Sequence, residues 1–272
     1  MEQADPRARD PDELNGGQAR ALMKTIGLIG GVTWESTAEY YKIINGEVAR
    51  TLGGAHSARL VLVSLNFEDL LSRSAAGDDQ GHRALYCDAA RRLERAGADV
   101  IVICSNTGHR RAGDIRESVS IPVLHIADVV GSAIAASGAR RVGLIGTAAT
   151  MEDTFIRGAL EQTWCLDVTV PDRPARTQID ELIKTEMARG KFSEHARNIV
   201  IAAIDRLVRE QKIEAVVLGC TELPLLLRDA RLACPSFDTL RLHATAAAQY
   251  ALSDRWPRPS RTCSPADAAA RQ

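Results

Sequence analysis

Two short apolar runs limit what this chain can fold into. Val100-Ile101-Val102-Ile103 ends in Cys104-Ser105-Asn106-Thr107-Gly108-His109, and 115 positions later Ala215-Val216-Val217-Leu218 ends in Gly219-Cys220-Thr221-Glu222. Runs of four apolar residues that end in small polar ones read as strands buried on both faces, the kind that parallel sheets use. Ligands of open α/β sheets bind beyond the carboxyl ends of such strands. Two strand ends, one per half of the chain, can therefore present a hydroxyl and a thiol to one small molecule.

Other landmarks repeat at a similar offset. Arg141-Val142-Gly143-Leu144-Ile145-Gly146-Thr147 echoes Ile26-Gly27-Leu28-Ile29-Gly30-Gly31. Ser105 follows Gly30 by 75 positions and Cys220 follows Gly146 by 74. Ile121-Pro122-Val123 is matched with Ala233-Cys234-Pro235. Landmarks in constant order argue for duplication of a βαβ-rich unit, with a period far too long for a solenoid. The expected fold class is α/β: two similar domains with parallel sheets, related by a pseudo-two-fold axis, with the site in the cleft between them.

The rest of the chain supplies expected elements. A strand at 25–31 runs into a glycine turn and a helix near 35–51, which Gly53-Gly54 end. Gly-x-x-Gly-Gly lacks the dinucleotide spacing, so the turn suits a carboxylate as well as a phosphate. A strand at 59–65, a helix at 82–96 and a short strand at 121–126 follow, then a helix at 128–137. The second half predicts a helix at 152–162, a strand at 166–170, and helices at 178–189 and from 193 to 210. Phe237-Asp238-Thr239 leads into a final alanine-rich helix at 240–252. Residues 1–22 and the tail 256–272 lack periodicity and are expected to be disordered; Met23 opens the globular part and is a candidate alternative start.

Bulk composition narrows the function classes. The 272 residues are 45% hydrophobic and 25% charged, with a net charge of −1. That balance suits a globular protein and offers no basic stripe for nucleic acid. No apolar run is long enough for a membrane helix, and the polar N-terminus lacks a secretory h-region. Six cysteines at irregular spacing without CxxC point to reduced thiols and a cytoplasmic protein, not to a disulfide framework or a metal site.

Cys220, at a strand end before a helical turn, is the candidate nucleophile or base; a helix N-terminus lowers a thiol's pKa toward the working range. The duplicated register sets Ser105 opposite it and Cys104 beneath, level with Gly219, because strand neighbours face opposite ways. Asn106, Thr107, Thr221 and Thr147 are short polar groups at the same strand ends, suited to an amino or carboxylate group. Gly31 and Val32 offer backbone at the first turn. His109 is a candidate orienter or a buried structural histidine. Arg59, Arg110, Arg111 and Lys184 are the candidate cations for a second carboxylate.

These residues carry a resemblance. Ser105-Asn106-Thr107-Gly108-His109 resembles the C-N-T-x-H motif of the aspartate/glutamate racemase family, and Gly219-Cys220-Thr221-Glu222 its G-C-T-E motif. Gly30-Gly31-Val32-Thr33-Trp34-Glu35-Ser36-Thr37 resembles the G-G-M-x-W-E-S-T opening of a branch with aspartate/glutamate or broader specificity. Leu124-His125-Ile126-Ala127-Asp128 and Phe237-Asp238-Thr239 match the same branch, and the similarity spans about residues 24–252. The resemblance implies a racemase that needs no cofactor, acts on an amino acid, most of all aspartate or glutamate, and forms a homodimer. It implies residues 24–122 plus the final helix (239–252) as one lobe and 123–238 as the other, with Cys220 and the opposite residue trading protons at Cα. The departure is Ser105, where the family's usual residue is cysteine. It leaves these readings open: slow or one-directional racemisation with Ser105 donating through water or His109, rotation of Cys104 into the site, which the strand geometry disfavours, a single-cysteine isomerase or decarboxylase of a small dicarboxylate, and a carboxylate-binding protein.

Overall fold

The computed structural model describes residues 23–253 and Trp256. Two four-stranded parallel sheets form, each with its strands in the same order. In the first, β1 (Ile26–Gly30) lies between β2 (Leu60–Ser64) and β3 (Val100–Ile103), and β4 (Val123–Leu124) closes the far edge beside β3. In the second, β5 (Arg141–Gly146) lies between β6 (Asp167–Thr169) and β7 (Ala215–Gly219), with β8 (Ser236–Asp238) at the edge. The expected α/β duplication is present. The central strands are buried except for Arg141 at the start of β5, which is why β1, β3, β5 and β7 read as nearly unbroken apolar runs.

Helices cover both faces. They are α1 (Trp34–Leu52), α2 (Phe67–Ala75), α3 (Asp79–Arg95), α4 (Ala112–Ser118), α5 (Ile126–Ser137), α6 (Ala148–Glu152), α7 (Arg157–Gln162), α8 (Arg173–Thr185), α9 (Glu194–Gln211), α10 (Leu223–Leu226) and α11 (Thr239–Ser253). The last helix leaves the second sheet and returns to the first. Leu240, Ala244, Ala247, Ala248 and Ala251 form a helical stripe packed with Tyr40, Ile44 and Val48 of α1 over β1 and β3. Alanines let the two helices approach closely. His243 sits in the same interface, its Nδ1 accepting from Tyr40 Oη at 2.8 Å and its Nε2–H donating to the Leu124 carbonyl at 2.9 Å.

Several expectations are corrected. The helix expected over 152–162 is two pieces, α6 and α7, interrupted at 153–156. Helix α2 was not expected; its first turn carries Glu68 and Asp69, which mask its apolar positions. Helix α8 starts five residues early because the Asp172 carboxylate accepts from the Ala175 amide at 3.0 Å and caps it. The third landmark of the repeat is shifted by one: the Pro122 carbonyl accepts from Ile101 N–H and the Pro235 carbonyl from Val216 N–H, so Pro122 matches Pro235 and not Cys234. Cys87, Cys104, Cys220 and Cys234 are free. The disorder expected for 1–22 and for the tail lies outside the described residues, except that Trp256 packs edge-on against Tyr250. Among the described residues no helix is long and apolar enough to cross a membrane.

Candidate active site

The carboxyl ends of β1, β3, β5 and β7 open onto one cleft of about 490 Å³. Ser105, Asn106 and Thr107 line it from the end of β3, and Cys220, Thr221 and Glu222 from the end of β7. Thr147 lines it after β5 and Val32 after β1. The fold thus brings the hydroxyl and the thiol of the two repeats into one cavity. In the second sheet Gly146 pairs with Gly219, and in the first the Cys104 amide donates to the Ile29 carbonyl, so Cys104 and Gly219 sit at the same level. Cys104 is wholly buried in the core and does not line the cleft.

Ser105 Oγ shares a 3.1 Å hydrogen bond with Thr107 Oγ1 and accepts from the Gly108 amide at 3.3 Å. Gly108 is needed here, since a Cβ would lie 2.7 Å from Ile103 Cγ2 and 3.1 Å from the Tyr86 hydroxyl. Asn106 donates from Nδ2 to Thr239 Oγ1 at 3.0 Å, while its buried Oδ1 has no partner. Asn106 lines the cleft, but this oxygen has almost no exposed surface of its own. Thr147 caps α6, its hydroxyl accepting from the Thr150 amide at 3.3 Å.

Cys220 is 7% exposed and donates from Sγ to Glu222 Oε2 at 2.8 Å. Burial pushes the thiol well above its ordinary range and the Glu222 charge adds to this. That overturns the expectation of a lowered thiol: α10 has only four residues, so its amides do not outweigh desolvation and a neighbouring carboxylate. The carboxylate is placed to take the thiol's proton.

Two expected substrate contacts are not made. Gly31 does not line the cleft; its amide donates to Thr37 Oγ1 at 2.9 Å, and its positive φ of 86° and a would-be Cβ 2.0 Å from the Leu65 carbonyl explain the glycine. His109 is 1% exposed and lies behind the cleft wall, not in it. Its Nδ1–H donates to the Ser105 carbonyl at 2.7 Å, its Nε2 is buried without a partner, and burial lowers its pKa to about 4. It therefore holds the Ser105 backbone as a neutral ring, packed edge-on against His125 and His243.

Of the four candidate cations, Arg110 and Lys184 line the cleft. Arg110 pairs with Asp153 and Lys184 with Asp180, at 2.6 Å for the latter. Arg59 reaches the Met23 carbonyl at the opposite end of the sheet, and Arg111 is held by Asp79, Asp114 and His82. Thr33, Ser36, Glu222, Tyr86 and the apolar wall of Phe67, Leu70 and Ile183 also line the cleft and escaped the sequence reading. Glu222, two residues past the thiol, carried a usable signal; Phe67 and Ile183 come from helices whose position only the fold sets.

Known proteins are similar along most of the chain. A sequence model described as Asp/Glu/Hydantoin racemase matches residues 29–247. A Yersinia pestis structure, provisionally described as an Asp/Glu racemase, is 42% identical, covers 85% of this chain and 100% of its own, and superposes with a TM-score of 0.80. An aspartate racemase homologue from Pyrococcus horikoshii is 32% identical over 84% of this chain and 99% of its own, with a TM-score of 0.73. A glutamate racemase from Deinococcus radiodurans is 26% identical over 56% of this chain and 51% of its own length. The chain spans about half the length of the curated glutamate racemases it matches.

Proposed function

The chain belongs to the Asp/Glu/hydantoin racemase family, and on that premise we propose that it racemises an amino acid at Cα, aspartate or glutamate first, using Cys220 and Ser105 without a cofactor. The observation that carries the reading is the shared cleft: the two repeat-related strand ends line one cavity with a thiol on one and a hydroxyl on the other. A substrate and product that are mirror images suit a site built from two like halves.

The chemistry balances as follows. Glu222 takes the Cys220 proton across the 2.8 Å contact, leaving a thiolate and a carboxylic acid. The thiolate removes the α-proton, and the electron pair passes to Cα and the substrate carboxylate. The Ser105 hydroxyl then gives a proton to the opposite face of Cα and is reprotonated from water, and the hydroxide so formed takes the proton from Glu222, which restores the carboxylate beside the re-formed thiol. Asn106, Thr107 and Thr147, which line the cleft, hold the amino and carboxylate groups. The side-chain carboxylate exchanges for Asp153 on Arg110 or for Asp180 on Lys184. Residues 24–122 with 239–252 act as one lobe and 123–238 as the other, except that Val123 and Leu124 pair as β4 in the first sheet and so belong with the first lobe; the protein acts as a cytoplasmic homodimer, and Trp34 and Tyr41, exposed seven residues apart on α1, support a surface between copies.

A second reading rests on Ser105 itself. Its hydroxyl partners are another hydroxyl and an amide, so no base activates it. Cys220 acting alone then exchanges the α-proton on one face only. The protein is incubated with L-aspartate and with L-glutamate in deuterated water, without pyridoxal phosphate. D-isomer carrying deuterium at Cα is the expected result. Deuterium without inversion supports the one-sided reading, and neither with any amino acid removes both.

A further inference from the structure

A chain of hydroxyls crosses the cleft and ends on the carboxylate that holds the thiol. Thr33 Oγ1 lies 2.9 Å from Ser36 Oγ, and Ser36 Oγ lies 2.7 Å from Thr221 Oγ1. Thr221 Oγ1 lies 2.8 Å from Glu222 Oε2, the same oxygen that accepts from Cys220 Sγ. Thr33 and Ser36 belong to the turn and first helix after β1, while the other three follow β7. The Ser36–Thr221 bond therefore ties the two halves together at the reacting thiol.

The direction of the chain follows from counting protons. A carboxylate only accepts, so Thr221 spends its one hydroxyl proton on Glu222. Ser36 must then donate to Thr221, and Thr33 to Ser36. Every donor points toward one oxygen, an arrangement in which each bond polarises the next. Helix capping does not explain these residues. Thr33 stands at the N-cap of α1, yet its side chain caps no amide of that helix. Ser36 is 5% exposed and makes no bond within its own helix backbone that would account for a buried hydroxyl there.

We propose that Ser36, backed by Thr33, is a positioning residue for the thiol: through Thr221 it holds Glu222 Oε2 against Cys220 Sγ, and does so only while the two halves are closed on each other. This rests on Cys220 being the reacting thiol. The held carboxylate keeps Cys220 protonated in the empty cleft. Separation of the halves breaks the Ser36–Thr221 bond, lets Glu222 swing away, and removes the negative neighbour that adds to the thiol's resistance to ionising. The other charged or titratable groups on the cleft are Asp180 and Lys184 of α8, paired with each other, Arg110, paired with Asp153, and His82 and Tyr86 of α3.

The test reads thiol ionisation on the full chain with no substrate. Iodoacetamide alkylation of Cys220 is followed from pH 6 to 10 by mass spectrometry of its peptide, which separates it from the other free cysteines. Ser36→Ala is expected to move the midpoint down by about one pH unit and to speed alkylation near pH 7.5 by about tenfold. Thr33→Ala moves it the same way by less. Thr221→Val cuts the next link with little change of shape, and carries the test if Ser36→Ala melts early. Midpoints that stay at the wild-type value, or rise, in folded Ser36→Ala and Thr221→Val overturn the proposal. Racemisation is assayed in parallel: wild-type protein that racemises nothing but shows the shifts sinks the proposed reaction and leaves the hydroxyl chain standing.

Discussion

Acidification is expected to unfold this protein well above the usual carboxylate range, through three histidines behind the cleft wall. His109, His125 and His243 are at most 7% exposed and pack ring against ring, with centroids 4.8 Å and 5.2 Å from His109. Burial lowers His109 to about 4 and His125 to about 2, and puts His243 well below its ordinary value. The hydrogen bonds agree: Nε2 of His243 donates to a carbonyl while its Nδ1 accepts from Tyr40, which only a neutral ring does. The unfolded chain binds protons near pH 6.5 and the folded one does not, so stability is full above that pH and falls as pH drops.

At pH 5, some 1.5 units below the unfolded value, each ring costs about 2 kcal/mol at ~1.36 kcal/mol per unit. Three rings approach ~6 kcal/mol, comparable with the ~5–15 kcal/mol by which a whole domain is stable. Asp128 and Asp238, raised by burial, run the other way at lower pH. Urea unfolding followed by circular dichroism at pH 7.5, 6.5, 5.5 and 5.0 measures the slope. His125→Asn, which keeps an N-cap acceptor for the Ala127 amide, is expected to remove about a third of it. Stability that stays within ~1 kcal/mol between pH 7 and 5, or a His125→Asn slope equal to wild type, refutes the reasoning.

Three further outcomes are expected. Ser105→Cys raises racemisation by about 10- to 100-fold, because a thiol donates and accepts protons near neutrality where a hydroxyl does not, whereas Cys220→Ala lowers it by ~10³; chiral chromatography reads both. Arg110→Gln raises KM for acidic substrates by about tenfold and Asp153→Asn lowers it, since the second removes the carboxylate that competes for Arg110; equal KM values in both exclude Arg110 as the side-chain anchor. Gly131→Ala destabilises by ~1–3 kcal/mol in thermal melts despite a gain in helix propensity, because the new Cβ would stand 2.3 Å from the Trp164 ring; an unchanged melting temperature counts against the packing seen there.

The fold was legible where burial alone dictates residue type. Val100–Ile103 and Ala215–Gly219 are buried on both faces, and nothing but an apolar run survives there. Their polar endings marked the strand ends, and the matched halves announced the duplication. Element breaks were harder, because the interruption at 153–156 and the start of α8 depend on caps and turns formed with partners outside the local pattern.

The linear order of residues by itself determined that Ser105 and Cys220 end equivalent strands and that Cys104 lies a level beneath, since register follows from side-chain alternation. Only the tertiary structure decided which polar groups reach the cleft. It withdrew Gly31, His109, Arg59 and Arg111, each spent on another partner, and brought in Ser36 from 185 positions away to meet Thr221. It also reversed the expected state of the thiol, because a pKa answers to desolvation and to neighbouring charge, and neither exists until the two halves close around it.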